Sequence, residues 1–224
     1  MFLGQKEGSD AVSAYWHAMR LPEEKFPGQT ELPMVIIEAD SMLAPHFDSY
    51  LSRLLQQLGG SAGAQDYLVN LYEASIMPDT AAAVLAQYAA LPPLPSWSFG
   101  SAGVQLQRNK WSWGTQGMLL SPKLRRQAAE LFRWALDHPG AVPGLQDMVL
   151  LHFIKQRGCY NTTWPKRPAS AAMTPCAVYG IKPGVVQHIG ASSSLFGANS
   201  SRFHMSASFP ARVSVPFHDV AGDW

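Results

Sequence analysis

The sequence predicts an α/β layer protein, and three observations lead to that class. Short continuous apolar runs of strand length, such as Met34-Val35-Ile36-Ile37, alternate along the chain with longer segments whose apolar residues recur at helical spacing. Apolar residues make up 47% of the chain and charged residues 15%, a balance that suits a packed core rather than a disordered tail. At 224 residues the chain is long enough for one sizeable core, or one domain with an appended flap.

The elements follow in order. Residues 9–20 read as a helix, and Met34–Ile37 after Pro33 as a buried strand that ends abruptly at Glu38-Ala39-Asp40. Pro45 opens a helix with Phe47, Leu51, Leu54, Leu55 and Leu58 on one face, and Gly59-Gly60 is expected to stop it. Tyr67–Tyr72 reads as a strand and 79–90 as a helix beginning at Asp79. The stretch 91–116, rich in Pro, Ser, Gly and Trp, reads as loop or hairpin. Gly117–Leu120 is a strand candidate. Ser121 and Pro122 then give a helix start, with Leu124, Ala128, Leu131, Phe132 and Ala135 on one face and a stop near Pro139-Gly140. A further helix covers roughly 144–157, short strands are expected at Val178–Ile181 and Val185–His188, and the last 30 residues carry no strong period.

Charge argues against a polyanion partner. Seventeen basic and sixteen acidic side chains leave a formal charge of +1, whereas nucleic-acid binding needs clustered Lys and Arg. The longest basic cluster, Lys123, Arg125 and Arg126, reads as the solvated face of a helix start. No run of 18 apolar residues is present, so no transmembrane segment is expected, and MFLGQKEGSD lacks the basic start and apolar stretch of a signal peptide. The two cysteines, Cys159 and Cys176, enclose a proline-rich segment that a disulfide would staple, which points to an oxidising compartment. Asn161-Thr162-Thr163 and Asn199-Ser200-Ser201 fit the N-glycosylation acceptor pattern.

Four motifs bear on chemistry. Gly59-Gly60-Ser61-Ala62-Gly63 matches GxSxG, but a helix precedes it and a strand follows, the reverse of a nucleophile elbow, so it reads as a linker. Glu38 and Asp40 end an apolar strand, where open α/β sheets place their ligands. Residues i and i+2 of an extended chain face the same way, so both carboxylates suit one hard divalent cation, or else a polar turn. Asp147 begins a helix whose apolar residues cover most of its circumference, which suits either a general base or an acid favoured by the helix dipole. His188 ends a strand before Ile189-Gly190, as a ligand or as a satisfied core residue.

In their order along the chain these segments resemble the N-acetylglucosaminyltransferase IV family and its relatives, including the GalNAc transferase that modifies GPI anchors. The resemblance spans roughly residues 34–197 and rests on MVIIEAD, WGTQGMLLSPKLRRQAAELF, Gln146-Asp147, the Cys159 and Cys176 pair, and KPGVVQHIGASSSLFG, the last being the most specific. It implies a GT-A-like nucleotide-sugar transferase fold, a three-layer α/β/α arrangement around a mixed sheet, lacking part of the N-terminal nucleotide-binding half. Residues 1–33 would be an N-terminal remnant with one helix, 34–197 the glycosyltransferase catalytic domain and 198–224 a C-terminal tail.

The activity the resemblance implies is metal-dependent, inverting transfer of N-acetylhexosamine from a UDP-sugar to a glycan acceptor, an N-glycan mannose arm or a GPI-anchor glycan, in the lumen of the Golgi or endoplasmic reticulum. Carried over by position, Asp40 binds Mn2+ (or Mg2+) with Glu38 in support and His188 as second ligand, and Asp147 is the general base. Trp111, Trp113 and Gly117 just after them would meet sugar or substrate, with packing as the competing role for at least one of the tryptophans. Two departures stand out. Ala39 occupies the middle of the acidic triplet, where the family usually has an acid, and only 33 residues precede the strand. Both favour an alternative: a non-catalytic glycan- or partner-binding domain derived from the same fold. A metal-dependent hydrolase is a third possibility.

Overall fold

The computed structural model describes residues 11–61, 66–73, 105–108, 115–138, 146–156 and 176–188, with single positions at 86, 90, 141, 206, 208 and 209. Helix α1 spans Ala11–Lys25 and is followed by a 3-10 turn at Pro27–Gln29. Then come β1 (Met34–Ile37), β2 (Ser41–Leu43), α2 (Phe47–Ser61), β3 (Asp66–Asn70), β4 (Gln105–Arg108), β5 (Gly117–Leu120), α3 (Pro122–Asp137), α4 (Gln146–Gln156), β6 (Cys176–Lys182) and β7 (Val186–His188).

Five strands form one mixed sheet in the order β1-β5-β3-β6-β4. Only β3 and β6 are parallel; β5 runs antiparallel to both β1 and β3, and β4 antiparallel to β6. The chain is therefore mixed α/β, as its alternating pattern predicts. A separate two-stranded sheet joins β2 to β7, with Ser41 opposite His188 and Leu43 opposite Val186. The Leu71 carbonyl, just past β3, accepts from the Val185 and Val186 N–H groups at 2.9 and 3.1 Å and ties the small sheet to the large one.

Successive strand residues face opposite sides of a sheet, so a strand buried on both faces needs an apolar residue at every position. Met118, Leu119 and Leu120 meet that demand, each at most 1% exposed. On one face Ile36, Leu68, Met118, Leu120 and Val178 pack with Val12, Tyr15 and Met19 of α1, Leu124, Ala128 and Phe132 of α3, and Val149, Leu150, Phe153 and Ile154 of α4. On the other, Val69, Leu119 and Ile181 pack with Tyr50, Leu54 and Leu58 of α2, with Val185 and Val186, and with Phe209. Helix α1, N-terminal to residue 33, thus packs on one face of the central strands, and Phe209, beyond residue 197, on the other.

Several elements differ from the sequence reading. Helix α1 runs five residues beyond the expected end at Arg20 and contains Pro22. Proline removes one helical hydrogen bond, and one turn before it the Met19 carbonyl accepts from the Arg125 guanidinium. Arg125 is fully buried, and its other nitrogen contacts are Glu23, bidentate at 2.6 Å, and the Thr30 carbonyl at 3.2 Å. Arg126 pairs with Glu31 at 2.7 Å, and Lys123 lies 3.6 Å from Asp66. The expected solvated basic face is therefore corrected: its central arginine joins α3 to α1. Helix α2 continues through Gly59 and Gly60 to Ser61, so the first half of the GxSxG match is helix end.

Ser121 precedes Pro122 as expected, but its hydroxyl makes no cap bond and instead accepts from the Tyr67 N–H at 3.1 Å. The stretch expected as loop or hairpin contributes β4. Strand β2 had no signal in the sequence, because three residues are too few to show alternation. Of the helix expected at 79–90, only Ala86 and Ala90 are described, with the Ala90 N–H donating to the Ala86 carbonyl at 3.1 Å. Cys176, 1% exposed at the start of β6, is disulfide-bonded, and the other cysteine, Cys159, lies outside the described residues, as do Asn161 and Asn199.

Candidate functional site at the carboxyl end of β1

The backbone after β1 does not stay extended. The Glu38 N–H donates to the Gln116 carbonyl at 3.1 Å and prolongs the β1–β5 ladder by one bond. The Ser41 N–H then donates to the Glu38 carbonyl at 3.2 Å, which closes a four-residue turn over Glu38–Ser41. The inference that Glu38 and Asp40 share one face of an extended chain is corrected by this turn, since the two-residue side-chain period holds only in a strand. The two carboxylates are sent to different partners.

Asp40 goes to the small sheet. Ser41 is the register partner of His188, so the residue before it lies beside the imidazole, and Asp40 Oδ2 stands 3.0 Å from His188 Nε2. The two residues are 148 positions apart. The Asp40 side chain is 38% exposed and that of His188 14%, so the pair is open to water from the carboxylate side.

Glu38 goes to the helical layer. Its Oε1 accepts from the Thr115 hydroxyl at 2.5 Å, from the Tyr15 hydroxyl at 3.1 Å and from the Gln146 amide at 3.4 Å. The Tyr15 hydroxyl also donates to the Thr115 carbonyl at 2.8 Å, and the Gln146 amide lies 3.4 Å from the Thr115 hydroxyl. Burial pushes the Glu38 carboxyl above its ordinary pKa, and the Asp40 charge adds to this; the Thr115 and Tyr15 hydroxyls and His188 pull the other way. The Tyr15 phenol is held well above its usual range, first by burial and then by the Glu38 charge.

Gln146 is the first residue of α4 and Asp147 the second, so the start of α4 reaches the end of β1 through one side-chain amide. Asp147 is half-buried. Gly117 is buried in β5 opposite Ile37, and a Cβ there would lie 2.7 Å from Val186 Cγ2, so Val186 fills the space beside it. Trp111 and Trp113 lie outside the described residues.

Of the candidate metal ligands, then, Asp40 and His188 meet, while the carboxylate of Glu38 is engaged by two hydroxyls and an amide. Among the described residues no three His, Cys, Asp or Glu side chains converge as a metal-binding group. Tyr15, Thr115 and Gln146 were not singled out as site residues by sequence reasoning. Each is a polar residue inside or beside an apolar run, and only the fold shows that all three point at one carboxylate.

No protein-family model matches the chain, and no curated protein matches it. Among the described residues no helix is long and apolar enough to cross a membrane.

Proposed function

We propose that the chain is a metal-dependent, inverting glycosyltransferase of GT-A type that transfers N-acetylhexosamine from a UDP-sugar to a glycan acceptor. The observation that carries the reading is the meeting of Asp40 and His188 at 3.0 Å, where the carboxyl end of β1 joins the β2–β7 ladder. The donor set fits Mn2+ or Mg2+ held jointly with substrate. It offers one carboxylate and one imidazole, open to water on the carboxylate side, and such ions take their remaining ligands from phosphate oxygens and water. When bound, the ion would supply charge neutralisation at the diphosphate. Asp40 and His188 would hold it.

The rest of the chemistry falls to Asp147, the residue after the Gln146 that touches Glu38. As general base it takes the proton of the acceptor hydroxyl. The hydroxyl oxygen attacks the anomeric carbon from the face opposite the diphosphate. The old carbon–oxygen bond breaks, its electron pair leaves with UDP, and the configuration inverts. The disulfide at Cys176 favours an oxidising compartment such as the Golgi or endoplasmic reticulum lumen.

A second reading, a non-catalytic glycan- or partner-binding domain, draws on Ala39 and on the engagement of Glu38 by protein donors. Calorimetric titration of UDP into the chain, with and without manganese, separates the two. Manganese-dependent binding that Asp40→Asn and His188→Ala each weaken by at least the roughly tenfold to hundredfold that loss of an outer-shell partner costs supports the transferase. Absence of nucleotide binding in the folded chain overturns it.

A further inference from the structure

We propose that Glu38 and Gln146 are positioning residues that lock the start of α4, and with it Asp147, onto the end of β1, and that Glu38 is not a metal ligand. The proposal rests on the reading of Asp147 as the base and deepens it.

The geometry has three parts. First, the turn closed between Ser41 and Glu38 divides the acidic tripeptide, so that Asp40 faces His188 across the small sheet while Glu38 faces the helices. Second, one oxygen of Glu38 gathers donors from three separate places in the chain: Tyr15 on α1, Thr115 before β5 and Gln146 at the head of α4. A carboxylate accepting several hydrogen bonds is fixed in orientation, and charge-assisted bonds are about twice as strong as neutral ones. Third, Gln146 contacts two members of that group, Glu38 Oε1 and Thr115 Oγ1, each at 3.4 Å. The residue it anchors is the immediate neighbour of Asp147. Catalytic geometry is sensitive at the ångström level, so a base carried by the first turn of a helix needs that turn held. The small Ala39 between the acids has a consistent role, since it is exposed and its neighbours on either side each reach a different element.

Four variants test this: Gln146→Ala, Glu38→Ala, Glu38→Gln and Asp40→Asn. In each, manganese–UDP affinity is measured by calorimetry, and amide exchange is followed at Leu150, Leu151 and His152, whose N–H groups close the first turns of α4. Where the parent chain turns over a UDP-N-acetylhexosamine with a glycan acceptor, kcat and KM are measured as well. Gln146→Ala and Glu38→Ala should speed exchange at those amides roughly tenfold or more, lower kcat by roughly tenfold to a hundredfold with KM nearly unchanged, and leave manganese–UDP affinity within about twofold. Glu38→Gln should keep manganese–UDP affinity within about twofold and change exchange and kcat less than Glu38→Ala, because an amide oxygen still accepts hydrogen bonds, without the charge, but is a poorer metal ligand than a carboxylate. Asp40→Asn should lose affinity and leave exchange at α4 unchanged. The proposal is overturned if Glu38→Gln loses manganese–UDP affinity as Asp40→Asn does, or if Gln146→Ala leaves exchange at α4 unchanged. A parent chain that binds no nucleotide sinks the transferase reading separately, and the exchange results still decide whether Glu38 and Gln146 hold the helix.

Discussion

Two buried polar junctions join α1 to the rest of the molecule, and they are built on opposite principles. At one, the fully buried Arg125 of α3 meets Glu23 in a bidentate pair and takes the Met19 and Thr30 carbonyls as further acceptors. At the other, among the described residues, the Glu38 carboxylate is held by hydroxyls and an amide, with no cation in direct contact. The charges respond accordingly. The Arg125 hydrogen bonds hold the Glu23 carboxyl below its usual pKa, whereas burial raises that of Glu38. A charge answered by an opposite charge makes a strut. A carboxylate answered only by neutral donors at the mouth of a sheet is costlier to keep, and such groups gather at functional sites.

Breaking the strut should have the largest effect. Arg125→Ala takes the guanidinium from the Met19 carbonyl and from both Glu23 oxygens, leaves the Thr30 carbonyl with the 3.4 Å contact of Arg126, and opens a cavity under α1, so a loss of about 3 kcal/mol is expected in denaturant unfolding. A loss below about 1 kcal/mol would mean that the junction is dispensable and that Arg125 is no strut between α3 and α1.

Next comes the packing that joins the two sheets. Gly117→Ala places a methyl 2.7 Å from Val186 Cγ2 and is expected to cost about 2 kcal/mol through overpacking. Val186→Ala should relieve most of that cost in the double variant, and simple additivity of the two losses would show that the strain lies elsewhere. Because Val186 and His188 share β7, the same variant should also weaken manganese–UDP binding.

Smaller again is the loss of one donor to Glu38. Thr115→Val removes the shortest of its hydrogen bonds and should cost about 1.5 kcal/mol, more than Tyr15→Phe, in which the weaker 3.1 Å bond is lost. The reverse order would place the anchor on α1 rather than beside β5.

The pH dependence gives the finest test. The Glu23 carboxyl has a folded-state pKa below its unfolded value, so its contribution is present above the unfolded value, near pH 4.5, and is lost as pH falls through the lower folded value. Glu23→Gln should therefore flatten the fall of stability on the acid side and leave the neutral plateau less stable by a small amount, since this side chain is 36% exposed. Unfolding midpoints measured between pH 3 and pH 7 check the sign. An unchanged acid limb would remove Glu23 from the account.

Much of the fold was legible beforehand because it depends on short-range periodicity. Strands β1 and β5 and helices α3 and α4 lie at or within a few residues of their expected places, since each carries an uninterrupted apolar run or an apolar helical face. The misreadings have local causes. The helix expected over 9–20 runs on past Pro22, and α2 passes through the Gly59-Gly60 read as its stop, because tertiary packing outweighs one lost hydrogen bond and about 1 kcal/mol of glycine propensity. Strand β2 is too short to carry a pattern.

By itself, the sequence determined the layered α/β class, the apolar strand ending in Glu38-Ala39-Asp40, and the placement of Asp147 at a helix start and His188 at a strand end. All of these follow from residue type and spacing along one segment. Only the tertiary structure decided which side chains meet. Whether Asp40 faces His188, 148 positions away, depends on a turn and on the ladder between β2 and β7; whether Glu38 joins its neighbour at a cation or turns towards Tyr15, Thr115 and Gln146 depends on three elements converging. Periodicity is a property of the chain, but convergence is a property of its packing. That is why Arg125, assigned to a solvated face by its charge, is instead buried in the junction between two helices.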